Sequence, residues 1–224
     1  MRPLGVVVGY RGEAGCLVGP DLRILCSGAD AVGARTAAQH LVDEGVSGLV
    51  SFGLAGGLVA DLTPGDLLLP QTVVLPDGGR IGADAAWRER LAATLERAGL
   101  RSRAASVAGS DIVVASGTAK RALATRTAAV AVDMESHGVA EVAARARVPF
   151  LIVRAVADRS DQAVPRVVRG AIDARGDIRH LALAGRLIAR PWEIGALIAL
   201  GRSSGRGLAS LRRVAALAPD FGFV

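Results

Sequence analysis

Aromatic residues make up only 3% of the 224-residue chain, so its interior has to be assembled from alanine, valine and leucine rather than from large rings. With 51% hydrophobic residues and 28 glycines, that composition disfavours all-β sandwiches and barrels and fits one large domain of repeating strand and helix units. Cysteine is scarce too. Cys16 and Cys26 are too few for a disulfide framework and have no metal-ligand spacing, which points to a reducing compartment. His40, His137 and His180 show no spacing suited to a metal or a catalytic triad, so no metal is expected. Long apolar runs are also missing: WEIGALIAL, 192–200, falls well short of the roughly 20 residues that span a bilayer. The opening MRPLGVVVGYRGEAG has an apolar run too brief for a signal-peptide core, which leads us to expect a cytoplasmic protein.

What the chain does have is an uneven charge. Its formal net charge is +6, yet residues 1–161 hold 17 basic and 17 acidic side chains. The excess lies in residues 162–224, with ten arginines against Asp173, Asp177, Glu193 and Asp220. That tail carries few aromatics and no groove-reading motif, so nucleic acid is not the expected partner. A membrane surface or an acidic partner fits it at least as well.

Short β-branched runs bounded by glycine recur at 4–9, 22–28, 47–53, 66–75, 104–109, 128–133 and 150–158. Helical patterns lie between several of them, at 31–44, 84–98, 116–125 and 135–147. Continuous apolar strands with helical crossovers indicate an α/β fold, a three-layer αβα sandwich around a twisted, mostly parallel mixed sheet. After Asp161 the strand signal stops, and 164–190 and 192–218 read as helices interrupted at Pro165, Pro191 and an RSSGRG turn at 202–207. We therefore expect a main domain over 1–190 and a basic, apolar helical extension of the same domain over 191–224.

Three segments place residues where an apolar core does not want them. SFGLAGGL, 51–58, reads as a strand running into a glycine turn, which is either structural or a loop whose backbone at Gly56 and Gly57 approaches a ligand. In VDMESHGVAEVA, 132–143, residues His137, Glu141 and Arg145 recur every four positions as a solvated face, with Ser136 as the expected N-cap. Counting back four from Val139 puts Glu135 on the inward side. It is either a first-turn acid complementing the helix dipole or a carboxylate presented into a cleft. In FLIVRAVAD, 150–158, Arg154 interrupts a buried run and Asp158 closes it. A buried guanidinium needs an anionic partner, a ligand or Asp133 or Glu135, and the two roles can coexist.

Taken in order, GVVVG, SGADAVGARTAA, SFGLAGGL, PGDLLLP, VDMES and VPFLIVRAVADRSD resemble the purine nucleoside phosphorylase and nucleosidase superfamily, over about residues 4–190. The resemblance implies cleavage of the bond between a purine and a ribosyl group, with no cofactor, in a homo-oligomer. Met134 and Glu135 match the pair that holds the ribose, and Asp158 matches the acid that engages the purine's imidazole nitrogen. Two departures concern the nucleophile. The glutamate that holds water in nucleosidases aligns with Ala14, one residue after Glu13, and the hydroxyl of the phosphorylase loop aligns with Leu54. Arg11, Arg35 and Arg154 together would bind phosphate, which favours phosphorolysis with phosphate as co-substrate, while Glu13 would still serve a water if the loop shifts. The base-stacking aromatic is replaced by Ile112, Val113 and Val114, with Asp111 beside them as a base-pocket candidate. The basic, apolar tail is similar to hopanoid-associated phosphorylases, which implies a lipid-linked substrate, adenosylhopane, and peripheral contact with the inner face of a membrane. A methylthioadenosine-type nucleosidase and a non-catalytic nucleoside-binding module are the alternatives.

Overall fold

The computed structural model describes residues 2–17, 19–168 and 170–223. From the N-terminus come β1 (Leu4–Val8), the single turn α1 (Arg11–Ala14), β2 (Leu22–Cys26), α2 (Ala31–Asp43) and the long β3 (Leu49–Gly57). Shorter elements follow: β4 (Leu67–Leu68), β5 (Thr72–Val74), β6 (Arg80–Gly82), α3 (Ala85–Arg97), β7 (Ser102–Arg103), β8 (Ser106–Gly109) and α4 (Gly117–Thr127). The remainder holds β9 (Ala131–Asp133), α5 (Ser136–Ala146), β10 (Phe150–Asp158), α6 (His180–Ala189) and α7 (Ile194–Leu217).

The strands form one mixed sheet with helices on both faces, the α/β architecture expected from the alternating pattern. Its two faces are separate cores. Val6, Phe52, Leu151 and Val153 point toward α3 and α7, where they meet Trp87, Leu91, Leu211 and Val214. Val7, Leu49 and Ile152, one residue out of phase on the same strands, point toward Leu41 of α2 and Val139 of α5. The period-2 alternation of side chains along each strand produces this sorting, and apolar residues on both phases bury both faces. Helix starts are set locally: Asp30, Asp84 and Ser116 accept the N–H of Gly33, Trp87 and Ala119 at 2.8, 2.8 and 3.2 Å.

Strand β3 organises the sheet. Along one edge it pairs in parallel with β10 from Leu49 to Gly56. Along the other edge, Leu49 to Ser51 pair in parallel with β1, whereas Gly56 and Gly57 pair antiparallel with β9. β1 and β9 therefore run toward each other on the same edge, and their carboxyl ends meet opposite the middle of β3.

Four local expectations are corrected. The glycines of SFGLAGGL do not turn the chain; they continue β3 to Gly57. The run at 66–75 is two strands, split at Pro70, which has no N–H for a ladder. Residues 164–168 and 170–179 are mostly irregular, with a short 3-10 turn at Arg166–Val168 and a bridge between Ile172 and Ile178. Asp173 accepts the N–H of Arg175 and Asp177 at 2.8 and 3.0 Å, satisfying backbone that a helix would otherwise use, and Gly176 takes a φ of +77°. The RSSGRG stretch lies inside α7, which continues unbroken. Gly207 is kept there by packing, since a Cβ would fall 2.6 Å from Leu54 Cδ2 and 3.1 Å from the Val156 carbonyl. A Cβ on Gly195, in the same helix, would meet nothing within 4 Å. Gly207→Val is accordingly expected to lower the unfolding free energy by about 1–3 kcal/mol and Gly195→Ala to raise it by about 0.5–1 kcal/mol in urea titrations.

Candidate active site

The meeting of β1 and β9 brings two acids together. After β1 the chain turns through Gly9 and Tyr10 into α1, and Glu13 folds back onto that turn. Its Oε2 accepts the Gly9 and Tyr10 N–H at 2.7 and 3.3 Å, and its Oε1 accepts the Leu54 N–H of β3 at 2.7 Å. A Cβ on Gly53 would lie 2.6 Å from Glu13 Oε1, so the missing side chain is what lets the carboxylate rest on the strand. Glu135 arrives from the end of β9. A Cβ on Gly9 would lie 3.1 Å from Glu13 Oε2 and 3.2 Å from Glu135 Oε1, so both carboxylates crowd the space that the missing side chain leaves free. Both acids are buried. Burial pushes the Glu13 carboxyl above its ordinary range, against the opposing pull of its amide donors and Arg154. Burial raises Glu135 to about 8, with Arg154 opposing the rise and Asp133 and Glu13 adding to it.

Arg154 holds the two strand ends together. Its Nε donates to Asp133 Oδ2, and its Nη2 donates to Ser51 Oγ at 2.7 Å, Ser136 Oγ at 3.0 Å and Glu135 Oε2 at 3.4 Å. Of the two partners read for this guanidinium, the structure supplies the internal acids. Ser136 is corrected as well: it is the first residue of α5 rather than its N-cap, and its hydroxyl is bound to Asp133 and Arg154.

The phosphate-binding trio of arginines is not assembled. Arg154 is bound in the network just described, Arg11 pairs with Asp177 at 2.8 Å on the surface, and Arg35 pairs with Glu141 at 2.6 Å between α2 and α5. None of the three lines the cavity. The solvated face assigned to α5 also needs correction. Arg145 is exposed and Glu141 is half-buried, but His137 is completely buried against Gly109, with Nε2 at 3.1 Å from Asp111 Oδ1. Its Nδ1 has no hydrogen-bond partner among the described residues. Asp111 thus faces His137 and lies outside the cavity lining, whereas Val113 is part of it.

At the end of β10, Asp158 is paired with a residue that motif reading passed over. The chain contains a single lysine, Lys120 of α4, and it is fully buried. Its Nζ donates to Asp158 Oδ2, to the Arg159 carbonyl at 2.6 Å and to the Gln162 carbonyl at 3.1 Å. Burial raises the Asp158 pKa and the Lys120 ammonium pulls it back down. A lone lysine in a chain whose other cations are all arginine was the signal available. A Cβ on Gly56 would lie 3.2 Å from Asp158 Oδ1, and one on Gly57 would lie 2.9 Å from the Asp158 carbonyl. Both glycines therefore allow β3 and the end of β10 to close up; Gly56 lines the cavity and Gly57 does not.

Glu13, Met134, Glu135, Lys120 and Asp158 open onto one cavity of about 520 Å3, within the roughly 300–1,000 Å3 common for small-ligand sites. Tyr10, also unforeseen, lines it. Beyond the acids the wall is apolar: Val164, Ile172 and Ile178 from the irregular segment, Leu183 from α6, and Leu197 and Leu200 from α7. Among the described residues, no three His, Cys, Asp or Glu side chains are grouped as a metal site.

An α/β sheet with acids at converging strand ends, opening on a nucleoside-sized cavity, belongs to a recognised class of enzymes. The Phosphorylase superfamily model matches residues 3–177; the chain belongs to that superfamily, whose members cleave nucleoside N-glycosidic bonds. Similar solved structures include the 5′-methylthioadenosine/S-adenosylhomocysteine nucleosidase of Helicobacter pylori, with a TM-score of 0.71 and 18% identity over 96% of this chain and 98% of that one. The futalosine hydrolase of the same organism has a TM-score of 0.71 and 17% identity, covering 96% and 97%. A putative 5′-methylthioadenosine/S-adenosylhomocysteine nucleosidase from Francisella philomiragia has a TM-score of 0.66 and 19% identity, covering 95% and 100%.

The raised acids make stability fall with pH. A carboxyl that binds its proton more tightly when folded gives stability that is full below its unfolded pKa and lost as pH rises through the folded value. For Glu135 that window runs from the ordinary 4.5 to about 8. Unfolding free energy measured in urea across this range is expected to decline, and Glu135→Gln is expected to flatten part of the decline.

Proposed function

We propose that the protein is a hydrolytic nucleosidase that releases a purine, adenine foremost, from a nucleoside bearing an apolar 5′ substituent. The observation that carries this reading is Glu13: it enters the cavity beside Glu135 without the loop shift that its position in the sequence suggested. Held by three backbone N–H groups, its carboxylate is oriented to bind and deprotonate a water. Phosphorolysis drew its support from three arginines that are now in ion pairs. A phosphate would instead enter beside Glu13, Glu135 and Asp158, where no arginine lines the cavity and Lys120 is already engaged by Asp158.

In this reading Glu135 accepts hydrogen bonds from the ribose hydroxyls and Met134 packs on the sugar, as the family resemblance implies. The C1′–N9 bond breaks with its electron pair leaving on the base, and Asp158 gives its proton to the imidazole nitrogen of that base. Water, losing its proton to Glu13, adds to C1′. The nearby carboxylates favour the positive charge that develops on the sugar. Lys120 would then hold the Asp158 carboxylate once its proton has left. Val113 and its neighbours offer an apolar wall to the base, and the leucines of α6 and α7 receive the 5′ substituent. Adenosylhopane is one nucleoside of that form.

Incubation with adenosine, methylthioadenosine and an adenosyl lipid, each with and without phosphate, tests this directly. Free adenine and free sugar are expected at a rate independent of phosphate, with labelled oxygen from water at C1′; a sugar 1-phosphate would overturn hydrolysis. Asp158→Asn and Glu13→Gln should each lower turnover by about 10²–10⁴-fold while circular dichroism stays native. Lys120→Met removes the charge that lowers Asp158, so the alkaline limb of the pH–rate profile is expected to move to higher pH.

A further inference from the structure

Helix α6 is amphipathic in reverse. Its exposed positions 181, 184, 185, 188 and 189 recur at helical spacing, the pattern of a buried stripe, and they are Leu, Ala, Gly, Ile and Ala. The apolar exposure continues past the helix: every exposed residue from 181 to 199 is apolar, glycine and proline included. Leu181 is 91% exposed, Ile188 83% and Trp192 72%, with Ile194 and Ile198 following on α7. A soluble surface normally interrupts such a stretch with charge, and continuous apolar surface of this kind marks a contact site. Arg186, Arg190 and Glu193 within the stretch are part-buried, with Arg190 and Glu193 paired at 3.5 Å, and the fully exposed charges stand at its borders, Arg175 and Arg179 before it and Arg202 and Arg206 after it.

We propose that the outer face of α6 and the beginning of α7 is a docking surface for an anionic lipid bilayer. Apolar side chains would enter the acyl boundary, Trp192 would sit at the headgroup level, and the bordering arginines would meet lipid phosphates. The charge pattern selects this occupant over a second copy of the chain. A two-fold contact through the same face would set one arginine border against another, in a tail that carries ten basic and four acidic side chains. Among the described residues no helix is long and apolar enough to cross a membrane, so the contact lies on the surface. The location has a consequence for access. Leu183 and Leu197, on the opposite faces of the same two helices, line the cavity, so a nucleoside anchored in the bilayer by its 5′ group would have a short apolar route inward.

Co-sedimentation of the full chain with vesicles of phosphatidylcholine alone or mixed with phosphatidylglycerol tests the proposal. Binding to the anionic vesicles, weakened by salt, is expected, together with a blue shift of Trp192 emission; Trp87 is buried and supplies a constant background. Leu181→Glu combined with Ile188→Glu should weaken binding by roughly tenfold or more. Neither residue lines the cavity, so release of adenine from a soluble nucleoside by that variant should be unchanged, which separates failure of docking from failure of the catalytic reading. No sedimentation with anionic vesicles at low salt overturns the proposal. So does binding that is indifferent to the double variant, or a dimer in light scattering that the variant dissociates while vesicle binding is absent.

Discussion

The guanidinium of Arg154, buried between two strand ends, is the constraint on which the rest of the site depends. A cation without solvent must be surrounded by acceptors, and Asp133, Ser51, Ser136 and Glu135 meet that demand from β9, β3 and the start of α5. Removing Asp133, the carboxylate bound to the Arg154 Nε, leaves the buried cation under-compensated, at a cost of about 3–5 kcal/mol. The same group ties β9 to β10 across β3 and so holds the convergence where Glu13 and Glu135 meet. Structural integrity and the placement of the acids therefore rest on one set of contacts.

Around that set, the site separates its acids by environment. Glu13 is held by three amide donors with Arg154 acting at longer range, Glu135 accepts directly from Arg154, and Asp158 faces an ammonium. Three buried carboxyls with three kinds of partner respond differently to pH, which allows one to accept a proton while another gives one up. The glycines of β3 make this arrangement possible, because a side chain at Gly53 would occupy the space of the Glu13 carboxylate and one at Gly56 would press on that of Asp158.

Much of the fold was legible because its cause is local. Alternation of apolar runs and helical periods gave the order of elements and the approximate spans of α2 and α4. Glu135 could be assigned inward by counting along its helix, and Arg154 could be recognised as a buried cation. His137 could not be read correctly, since its spacing matches a solvated face and only the approach of Gly109 encloses it. The stretch at 164–179 misled for a similar reason: its composition suits a helix, while side-chain bonds to the backbone and glycine conformations select an irregular path.

By itself, the sequence determined the α/β class, the apolar interior of small residues, the superfamily and the acids at the ends of β9 and β10. These follow from periodicity, hydrophobicity and motif order, which are properties of neighbouring residues. Tertiary structure decided which partners the ionisable groups have. It turned Arg11 and Arg35 to other acids, brought Glu13 over Leu54, joined Lys120 to Asp158, and left the apolar side of α6 facing outward. Charge pairing and burial depend on distances across the fold, and the antiparallel run of β9 against β3, invisible in the order of residues, brings Glu135 to Glu13.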